Sequence, residues 1–250
     1  MRFTYLIYLL YILLFFNCKQ PKAYVTKIEG KQIPITDSLA IDSEIEAFIK
    51  PYRTHIEKDL DSVLAYSVGT YTKTDGAFNT AIGNFMVDAV YDEANPIFKS
   101  RYDKNIDFVF LNFGSIRSII PKGNVTTRNI FEIMPFDNDI YIVAYKGSQV
   151  LGLAKEIVEN KQAHPISKIK IVIDKNYNLI KTTINNEEID TSKTYYIAVS
   201  DYMYNSRVDF WLPNDGVYPL NYHIRNILID HVKKIDTIEP VMDDRFTQIN

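Results

Sequence analysis

The most informative segment of the chain is Asn112-Phe113-Gly114-Ser115-Ile116-Arg117, which directly follows a predicted strand, Ile106–Leu111. Small residues at the end of a strand let the backbone approach a ligand closely, because glycine carries no Cβ atom. Arg117 then offers a planar set of donors that suits a phosphate or carboxylate group. Alone, the stretch is also consistent with an ordinary turn that carries a surface arginine. Its interpretation therefore depends on the segments that accompany it.

Three other segments accompany this stretch in a matching order along the chain. Gly83-Asn84-Phe85-Met86-Val87-Asp88-Ala89 precedes it on a predicted helix, Met134-Pro135-Phe136-Asp137-Asn138 follows it, and Tyr195–Tyr202 lies on a later strand that runs into a loop. Together the four segments resemble the C-terminal, substrate-binding domain of the 5'-nucleotidase family. The usual motifs of that family are Gly-Asn-x-x-x-Asp-Ala, Asn-Gly-Gly-Gly-Ile-Arg, Leu-Pro-Phe-Gly-Asn, and an aromatic residue followed by Asn-Gly-Gly-Asp. The resemblance covers roughly residues 60–245.

The resemblance implies a substrate pocket built from these segments. Arg117 would hold phosphate or ribose groups, and Phe136 and Tyr202 would stack on the two faces of a nucleobase. Aromatic stacking suits any base and contributes about 1–3 kcal/mol per base in single-stranded nucleic-acid complexes. Core packing is the alternative for both rings, because the chain contains 18 Tyr and 14 Phe residues. The predicted substrate-binding residues are Asn112, Gly114, Arg117, Phe136, Tyr202 and Asp209.

Several positions depart from the motifs of the family. Phe113 and Ser115 replace two of its glycines. Ser206-Arg207-Val208 stands where the family has Gly-Gly-Asp, so Asp209 matches only through a shift of one residue. The region 75–79 also lacks the arginine that the family places shortly before Gly-Asn. Arg207 could supply part of the missing charge from the other side of the pocket.

No metal-ligating or nucleophilic motif is visible. In the 5'-nucleotidase family, hydrolysis is performed by a two-metal centre on a separate N-terminal domain, which needs clustered Asp, Asn and His ligands. The four histidines stand outside such motifs, and each is expected to be a surface or half-buried structural residue: His55, His164, His223 and His231. We therefore predict no catalytic residue, metal or other cofactor in this chain, and expect divalent metals only on a partner phosphatase. A carboxylate pair, Asp243-Asp244 beside Arg245, is more simply a solvated turn.

The N-terminal residues predict export and a lipid anchor. Residues 1–17 combine Arg2 with the apolar run Leu6–Phe16, as in a signal peptide, and the run is shorter than the roughly 20 residues of a spanning helix. Cys18 is the only cysteine and stands where a lipoprotein signal is cut and lipidated, although an incidental cysteine after a plain signal peptide is the alternative. Residues 18–40 then form a tether and 41–250 the domain. The expected localisation is the bacterial cell envelope.

Hydrophobic periodicity, like the resemblance, predicts an α+β fold with a mixed, largely antiparallel sheet flanked by helices. The predicted helices are 41–60 (kinked or split at Pro51), 80–94, 127–133, 148–159 (capped by Ser148) and 220–234. The predicted strands are 24–33, 63–68, 106–111, 139–145, 169–174, 179–184 and 194–200. The last three would form an antiparallel meander.

Three functional hypotheses follow. The first is a lipid-anchored, stand-alone domain that binds a nucleotide or a related phosphorylated small molecule, with hydrolysis by a separate metallophosphatase chain. The second is a non-catalytic surface lipoprotein that keeps the fold without the ligand. The third is a self-sufficient hydrolase with an unrecognised site. A net charge of −3 without a basic block excludes a typical nucleic-acid binder.

Overall fold

The computed structural model describes residues 24–36, 39–207, 210 and 212–249. The predicted signal peptide, Cys18 and Asp209 therefore lie outside the described residues. Contacts divide the chain into two units, Met1–Phe48 and Ile49–Asn250. In the first unit, residues 24–36 are exposed and contain no helix or strand, so the short strand expected there is wrong. The boundaries of signal peptide, tether and domain stay predictions.

Six α-helices and twelve β-strands lie within the described residues. The helices are α1 (Ser43–Leu60), α2 (Ala81–Tyr102), α3 (Thr127–Ile133), α4 (Gly147–Glu159), α5 (Asp201–Ser206) and α6 (Ile224–Val232). The strands are β1 (Val63–Ser67), β2 (Phe108–Phe110), β3 (Gly123–Thr126), β4 (Asp139–Lys146), β5 (Ile166–Ser167), β6 (Ile169–Ile173), β7 (Leu179–Ile184), β8 (Glu187–Glu188), β9 (Thr194–Ser200), β10 (Gly216–His223), β11 (Thr237–Ile238) and β12 (Phe246–Gln248).

These strands form three sheets, ordered β11-β1-β3, β10-β4-β9-β2-β5 and β12-β6-β7-β8. Each sheet contains both parallel and antiparallel neighbours, and antiparallel pairs predominate. Helices pack against the sheets. The predicted α+β class is therefore confirmed.

The central sheet, β10-β4-β9-β2-β5, is covered by helices on both faces. Successive side chains of a strand point to opposite faces. On β9, Ala198 packs in the cluster that contains α2 and α6, whereas Ile197 and Val199 pack in the cluster that contains α4. Burial on both faces explains why this strand is apolar without alternation.

Helix α2 lies on the central sheet through the apolar face that its periodicity predicts. The fully buried large apolar residues of its first three turns are Ile82, Met86, Val87 and Val90, and the small residues Ala81, Gly83 and Ala89 are buried beside them. The helix begins after Thr80, whose hydroxyl oxygen accepts a hydrogen bond from the Gly83 amide at 3.2 Å. It continues through Pro96 to Tyr102, beyond the end expected near Ala94.

The Gly83–Ala89 motif on α2 anchors the C-terminal segment. Asn84 donates from Nδ2 to the Val241 carbonyl at 2.9 Å. Asp88 accepts two hydrogen bonds from Arg245, at 3.1 and 2.9 Å. Asp243 accepts two further hydrogen bonds from the Arg245 guanidinium, at 2.8 and 2.7 Å. Asp243 is therefore part of a structural anchor, whereas Asp244 is exposed as expected of a solvated turn and pairs with Lys170 at 2.8 Å.

The predicted helix over 220–234 is wrong in its first residues. Leu220 to His223 belong to β10, which pairs antiparallel with β4, and α6 begins only at Ile224. The local spacing of apolar residues is compatible with a helix, but His223 pairs with Asp139 of β4, and the preceding residues form an irregularity in the pairing in which Asn221 has a φ of 52°. A left-handed residue does not fit an α-helix, so the helix begins after this segment.

Other boundaries also differ from the predictions. The meander expected over 169–200 is divided, because β6, β7 and β8 share one sheet whereas β9 lies in the central sheet. Helix α4 begins after Lys146, so Ser148 is inside the helix and does not cap it. Helix α1 is assigned as one helix with Pro51 inside it, so the predicted split is absent from this described segment.

Candidate functional site

Three strands of the central sheet meet at the edge where the candidate site lies. β2 and β9 are parallel neighbours, so their carboxyl ends lie at the same edge. β4 is antiparallel to β9 and places Ile140 opposite Ser200, so it begins at this edge. The segments that enter or leave these three strands here are Asn112–Arg117, Phe136–Asn138 and Asp201–Tyr202.

These segments surround a cavity of about 630 Å³, here called the large cavity. Five of the six predicted substrate-binding residues line it: Asn112, Gly114, Arg117, Phe136 and Tyr202. The other lining residues are Ser115, Met134, Pro135, Asp137, Asn138 and Ser200. Asp209 lies outside the described residues. The placement of the five is a structural fact, and their role in binding stays a prediction.

Arg117 is the positively charged residue that lines the large cavity. Its amide donates a hydrogen bond to the Ile133 carbonyl at 2.9 Å, so the end of α3 positions its main chain. Its side chain is exposed, with Cζ 5.8 Å from the centre of the Phe136 ring. Among the described residues, the guanidinium has no hydrogen-bond or ion-pair partner. Its donors are therefore available to an anion.

The two aromatic rings predicted to stack on a base do not pack in the core. Phe136 is 42% exposed and Tyr202 is 59% exposed. Large aromatic side chains bury most of their surface when they serve only as core. The core-packing alternative is therefore wrong for both rings, and both present surface at the large cavity.

A buried histidine holds the Asn112–Arg117 segment in place. His164 accepts a hydrogen bond at Nδ1 from the Phe113 amide at 3.0 Å, and it is only 7% exposed. Burial lowers the pKa of His164 to about 4, so the ring is neutral at pH 7. The sequence predicted a surface or half-buried His164, and this is wrong because the residue is buried. No motif links it to the segment fifty positions earlier that it contacts.

The two residues that replace family glycines also have structural contacts. The Ser115 hydroxyl donates to the Asn112 carbonyl at 2.7 Å. Lys73 donates from Nζ to the Ile116 carbonyl at 3.0 Å, and the same ammonium lies 4.6 Å from the centre of the Phe113 ring. Side-chain contacts of Ser115 and Phe113 therefore help to fix this loop.

The far rim of the large cavity is formed by a polar pair. Asn138 donates from Nδ2 to Asp201 Oδ1 at 2.8 Å, and the Tyr202 amide donates to the same oxygen at 2.6 Å. The Ser200 hydroxyl oxygen accepts a hydrogen bond from the Met203 amide at 3.1 Å and caps α5. These bonds orient the helix that carries Tyr202.

Asp137 also lines the large cavity, and its negative charge is already paired. It accepts a hydrogen bond from Arg225 on α6, which lowers the pKa of its exposed carboxyl group. Because the Arg225 charge balances Asp137, the Arg117 charge stays uncompensated. Arg225 was not anticipated from the sequence, since it belongs to a segment that carries no family motif.

A second cavity of about 230 Å³, here called the small cavity, shares Asn112 and Tyr202 with the first. Its other lining residues are Phe110, Glu156, Asn160, His164, Met203, Ser206, Arg207 and Phe210. Arg207 pairs with Glu156 there and stacks on the Phe210 ring at 4.7 Å. Arg207 thus lines the small cavity and not the large one, so its expected contribution of charge to the large cavity is not seen.

No group of three or more His, Cys, Asp or Glu side chains in the described part of the chain is arranged to hold a metal ion. Three histidines lie beside single carboxylates: His55 is 3.7 Å from Asp59, His223 is 2.7 Å from Asp139, and His231 is 3.4 Å from Glu93. Over the same residues, no helix combines the length and apolarity needed to cross a membrane.

Comparison with known proteins places the chain in a family. The family model described as 5'-nucleotidase, C-terminal domain, matches residues 63–213. The protein UshA of Escherichia coli strain K12 is 25% identical over 189 residues, which cover 72% of this chain and 32% of that protein. The 5'-nucleotidase of Vibrio cholerae serotype O1 is 25% identical over 129 residues, which cover 49% of this chain and 21% of that protein. The chain therefore spans a third or less of the length of these relatives.

Solved structures share the fold. The 5'-nucleotidase precursor of Thermus thermophilus has a TM-score of 0.67 at 17% identity, over 82% of this chain and 43% of that chain. The NAD nucleotidase of Haemophilus influenzae has a TM-score of 0.63 at 17% identity, over 84% of this chain and 42% of that chain. Since the family model matches more than half of the 250 residues, the chain belongs to the 5'-nucleotidase C-terminal domain family.

Proposed function

We propose that the large cavity binds a nucleotide or a related phosphorylated small molecule. Arg117 holds the phosphate or ribose groups, and Phe136 and Tyr202 stack on the base. The observation that carries the proposal is a guanidinium that has no partner among the described residues and lies beside two exposed aromatic rings in one cavity. An arginine fork matches phosphate oxygens, and a flat ring binds any base.

Hydrolysis is assigned to a separate metallophosphatase chain that docks over the occupied cavity. In the relatives named above, the match covers a third or less of the protein, so most of their length lies outside it. Divalent metals would belong to that partner. The purified protein alone is expected to show no phosphatase turnover with added metal ions. Turnover that copurifies with the protein through a second preparation would instead favour a self-sufficient hydrolase.

The proposal is tested by thermal unfolding in the presence of a nucleoside and its 5'-phosphate. A specific ligand raises the melting temperature by mass action. Arg117→Ala is expected to remove the shift given by the nucleotide, because it deletes the free cation. Arg128→Ala is the matched control, since Arg128 is paired with Asp61 at 2.8 Å and does not line the cavity.

The alternative is a non-catalytic surface lipoprotein that keeps the fold without the ligand. The pairing of Arg207 with Glu156 favours it, because that charge is taken by the protein itself. Absence of any nucleotide-induced shift at millimolar concentration would support this alternative and refute the binding proposal.

We further propose that Cys18 is lipidated after removal of residues 1–17 and anchors the protein to the bacterial cell envelope. Support comes from the sequence alone, as a short apolar run followed by the single cysteine. Cys18→Ala should release the protein from the membrane fraction or block its maturation, because one lipidated residue supplies the main attachment. A mutant that matures and still sediments with membranes would show that Cys18 is incidental.

A further inference from the structure

Arg225 contacts two residues that line the large cavity but does not line the cavity itself. It lies in the first turn of α6, a helix whose apolar face is buried in the core. The Arg225 side chain is only 12% exposed, and its Cζ lies 4.3 Å from the centre of the Phe131 ring on α3. A guanidinium that is held in this way imposes its fixed geometry on the groups that it binds.

The first turn of α6 holds the corner between α3 and β4, residues 136–138, at three points. The Arg225 guanidinium donates from Nη1 to the Phe136 carbonyl at 3.4 Å and from Nη2 to the Asp137 carboxylate. The Ile224 amide donates to the Asn138 carbonyl at 2.9 Å. The main chain of the corner therefore takes its position from α6.

Both aromatic rings of the proposed site depend on this corner. Phe136 carries one ring, which is 42% exposed, so packing alone does not fix it. Tyr202 carries the other ring, and Asn138 connects it to the corner. The Asn138 side chain and the Tyr202 amide donate to the same oxygen of Asp201, at 2.8 and 2.6 Å. The gap between the two rings is therefore set through the corner that α6 holds.

Arg225 also balances a carboxylate in the large cavity. Asp137 lines this cavity, and the hydrogen bond from Arg225 lowers the pKa of its carboxyl group, so Asp137 is negatively charged at pH 7. A carboxylate without a partner in the same cavity would repel a phosphate group. The charge of Arg225 offsets this repulsion.

We propose that Arg225 is a positioning residue of the nucleotide site. It sets the gap between the Phe136 and Tyr202 rings in which the base stacks, and it neutralises Asp137 on the side of the phosphate. It acts through the corner and does not touch the ligand. None of the predicted substrate-binding residues lies on α6, so this helix gains a role in recognition. The inference rests on the nucleotide binding proposed for the large cavity.

Titration calorimetry of the full chain with adenosine and adenosine monophosphate tests the proposal. Arg225→Met keeps an unbranched apolar side chain and removes the guanidinium. It is expected to weaken adenosine binding about tenfold, because the gap between the rings is no longer fixed. Adenosine monophosphate should lose a further factor of about three at low salt, because Asp137 is then unpaired.

Arg128→Met is the matched control. Arg128 also pairs with a carboxylate, that of Asp61 at 2.8 Å, and it does not line the large cavity. Both affinities should stay as in the wild type in this control. Affinities that are also unchanged in Arg225→Met would overturn the proposal.

A double-mutant cycle separates positioning from a general loss of structure. In a Phe136→Ala background the ring that Arg225 orients is absent, so adding Arg225→Met should cost much less than tenfold in adenosine affinity. A loss that stays about tenfold in that background would overturn the positioning role. Adding Asp137→Asn to Arg225→Met should remove the extra loss for adenosine monophosphate. An extra loss that remains would overturn the charge role.

A crystal structure of the ligand-free Arg225→Met variant gives a readout that needs no ligand. In the wild type, Cζ of Arg117 lies 5.8 Å from the centre of the Phe136 ring. The ring is expected to leave this place in the variant, and a ring that stays there would overturn the proposal. The two proposals fail differently. If the wild type binds neither ligand, nucleotide binding falls and the positioning role falls with it, whereas wild-type binding that Arg225→Met leaves intact refutes only the positioning role.

Discussion

Arg245 and Arg117 occupy opposite kinds of environment in the same domain. The Arg245 side chain is 12% exposed and binds Asp88, Asp243 and the Ile166 carbonyl, the last at 2.8 Å. These contacts raise the pKa of Arg245 above its ordinary value. The Arg117 side chain is exposed and lies beside a cavity without an ion-pair partner among the described residues.

The contrast distinguishes two roles that an arginine side chain can have in this domain, a structural role and a ligand-binding role. A guanidinium whose donors are all used within the chain holds distant segments together, here α2 and the C-terminal strand. A guanidinium held only through its main chain keeps its donors for a ligand. Each arginine is connected with a motif of the family. Arg117 is the last residue of the Asn112–Arg117 segment, and Arg245 binds Asp88, which belongs to the Gly83–Ala89 segment. A motif residue can therefore be structural or ligand-binding, and its partners decide which.

The largest expected effect is a difference in stability between two variants in which the same change, arginine to leucine, is made at Arg245 or at Arg117. Arg245→Leu should lower the free energy of unfolding by about 3–4 kcal/mol, because it leaves two adjacent carboxylates without their cation and frees the Ile166 carbonyl. Arg117→Leu should change it by less than about 0.5 kcal/mol, as for an exposed residue without partners. Urea unfolding of both variants measures the difference. Similar losses in the two would remove the distinction between a structural and a free arginine.

The next effect is a pH dependence that comes from His164, which holds the loop that carries Arg117. The folded pKa of His164, about 4, lies below its ordinary value of 6.5, so the unfolded chain binds the proton first as the pH falls. Stability is therefore fully present above pH 6.5 and is lost as the pH falls from 6.5 towards 4, by roughly 2–3 kcal/mol.

Chemical unfolding at several pH values measures this dependence. His164→Asn should be less stable at pH 7 and should lack the His164 part of the slope. His55→Asn serves as control, because the His55 side chain is 78% exposed. A slope unchanged in His164→Asn would show that other groups cause it.

The smallest effect separates charge from stacking in the large cavity. Tyr202→Ala should weaken nucleoside and nucleotide binding alike, by about 1–3 kcal/mol, because stacking does not depend on phosphate. Arg117→Ala should weaken nucleotide binding only. Titration calorimetry with both ligands gives the four affinities. If Tyr202→Ala affected the nucleotide alone, the stacking role would be refuted.

Local sequence predicted the parts of this fold that depend on neighbours in the chain. The spacing of Ile82, Met86 and Val90 places them on one face of α2, and this face is buried. The resemblance to the family, which rests on the order of the four motifs, implied that Asn112, Arg117, Phe136 and Tyr202 lie together, and they line one cavity. Such inferences succeed because helical periodicity and motif order are properties of the chain itself.

Other features required the folded chain. The apolar spacing from Leu220 onward is compatible with a helix, but His223 pairs with β4 and Asn221 adopts a positive φ of 52°, so the helix begins only at Ile224. β9 follows β8 in the chain but lies between β4 and β2, because its apolar residues are buried on both faces there. Asp209 and Cys18 are predictions that the described residues leave untested.

The motifs and periodicity of the sequence were enough to predict the family resemblance, the α+β class and the four segments that carry the predicted site. The folded chain was needed to show that Arg117 has no ion-pair partner among the described residues, that Arg207 pairs with Glu156, and that His164 is buried and accepts a hydrogen bond from the Phe113 amide. The physical reason is that partners and desolvation depend on residues far apart in the chain. Arg117 and Arg207 have the same side chain, but packing places the Glu156 carboxylate beside Arg207 alone, so their guanidinium groups differ in their availability to a ligand.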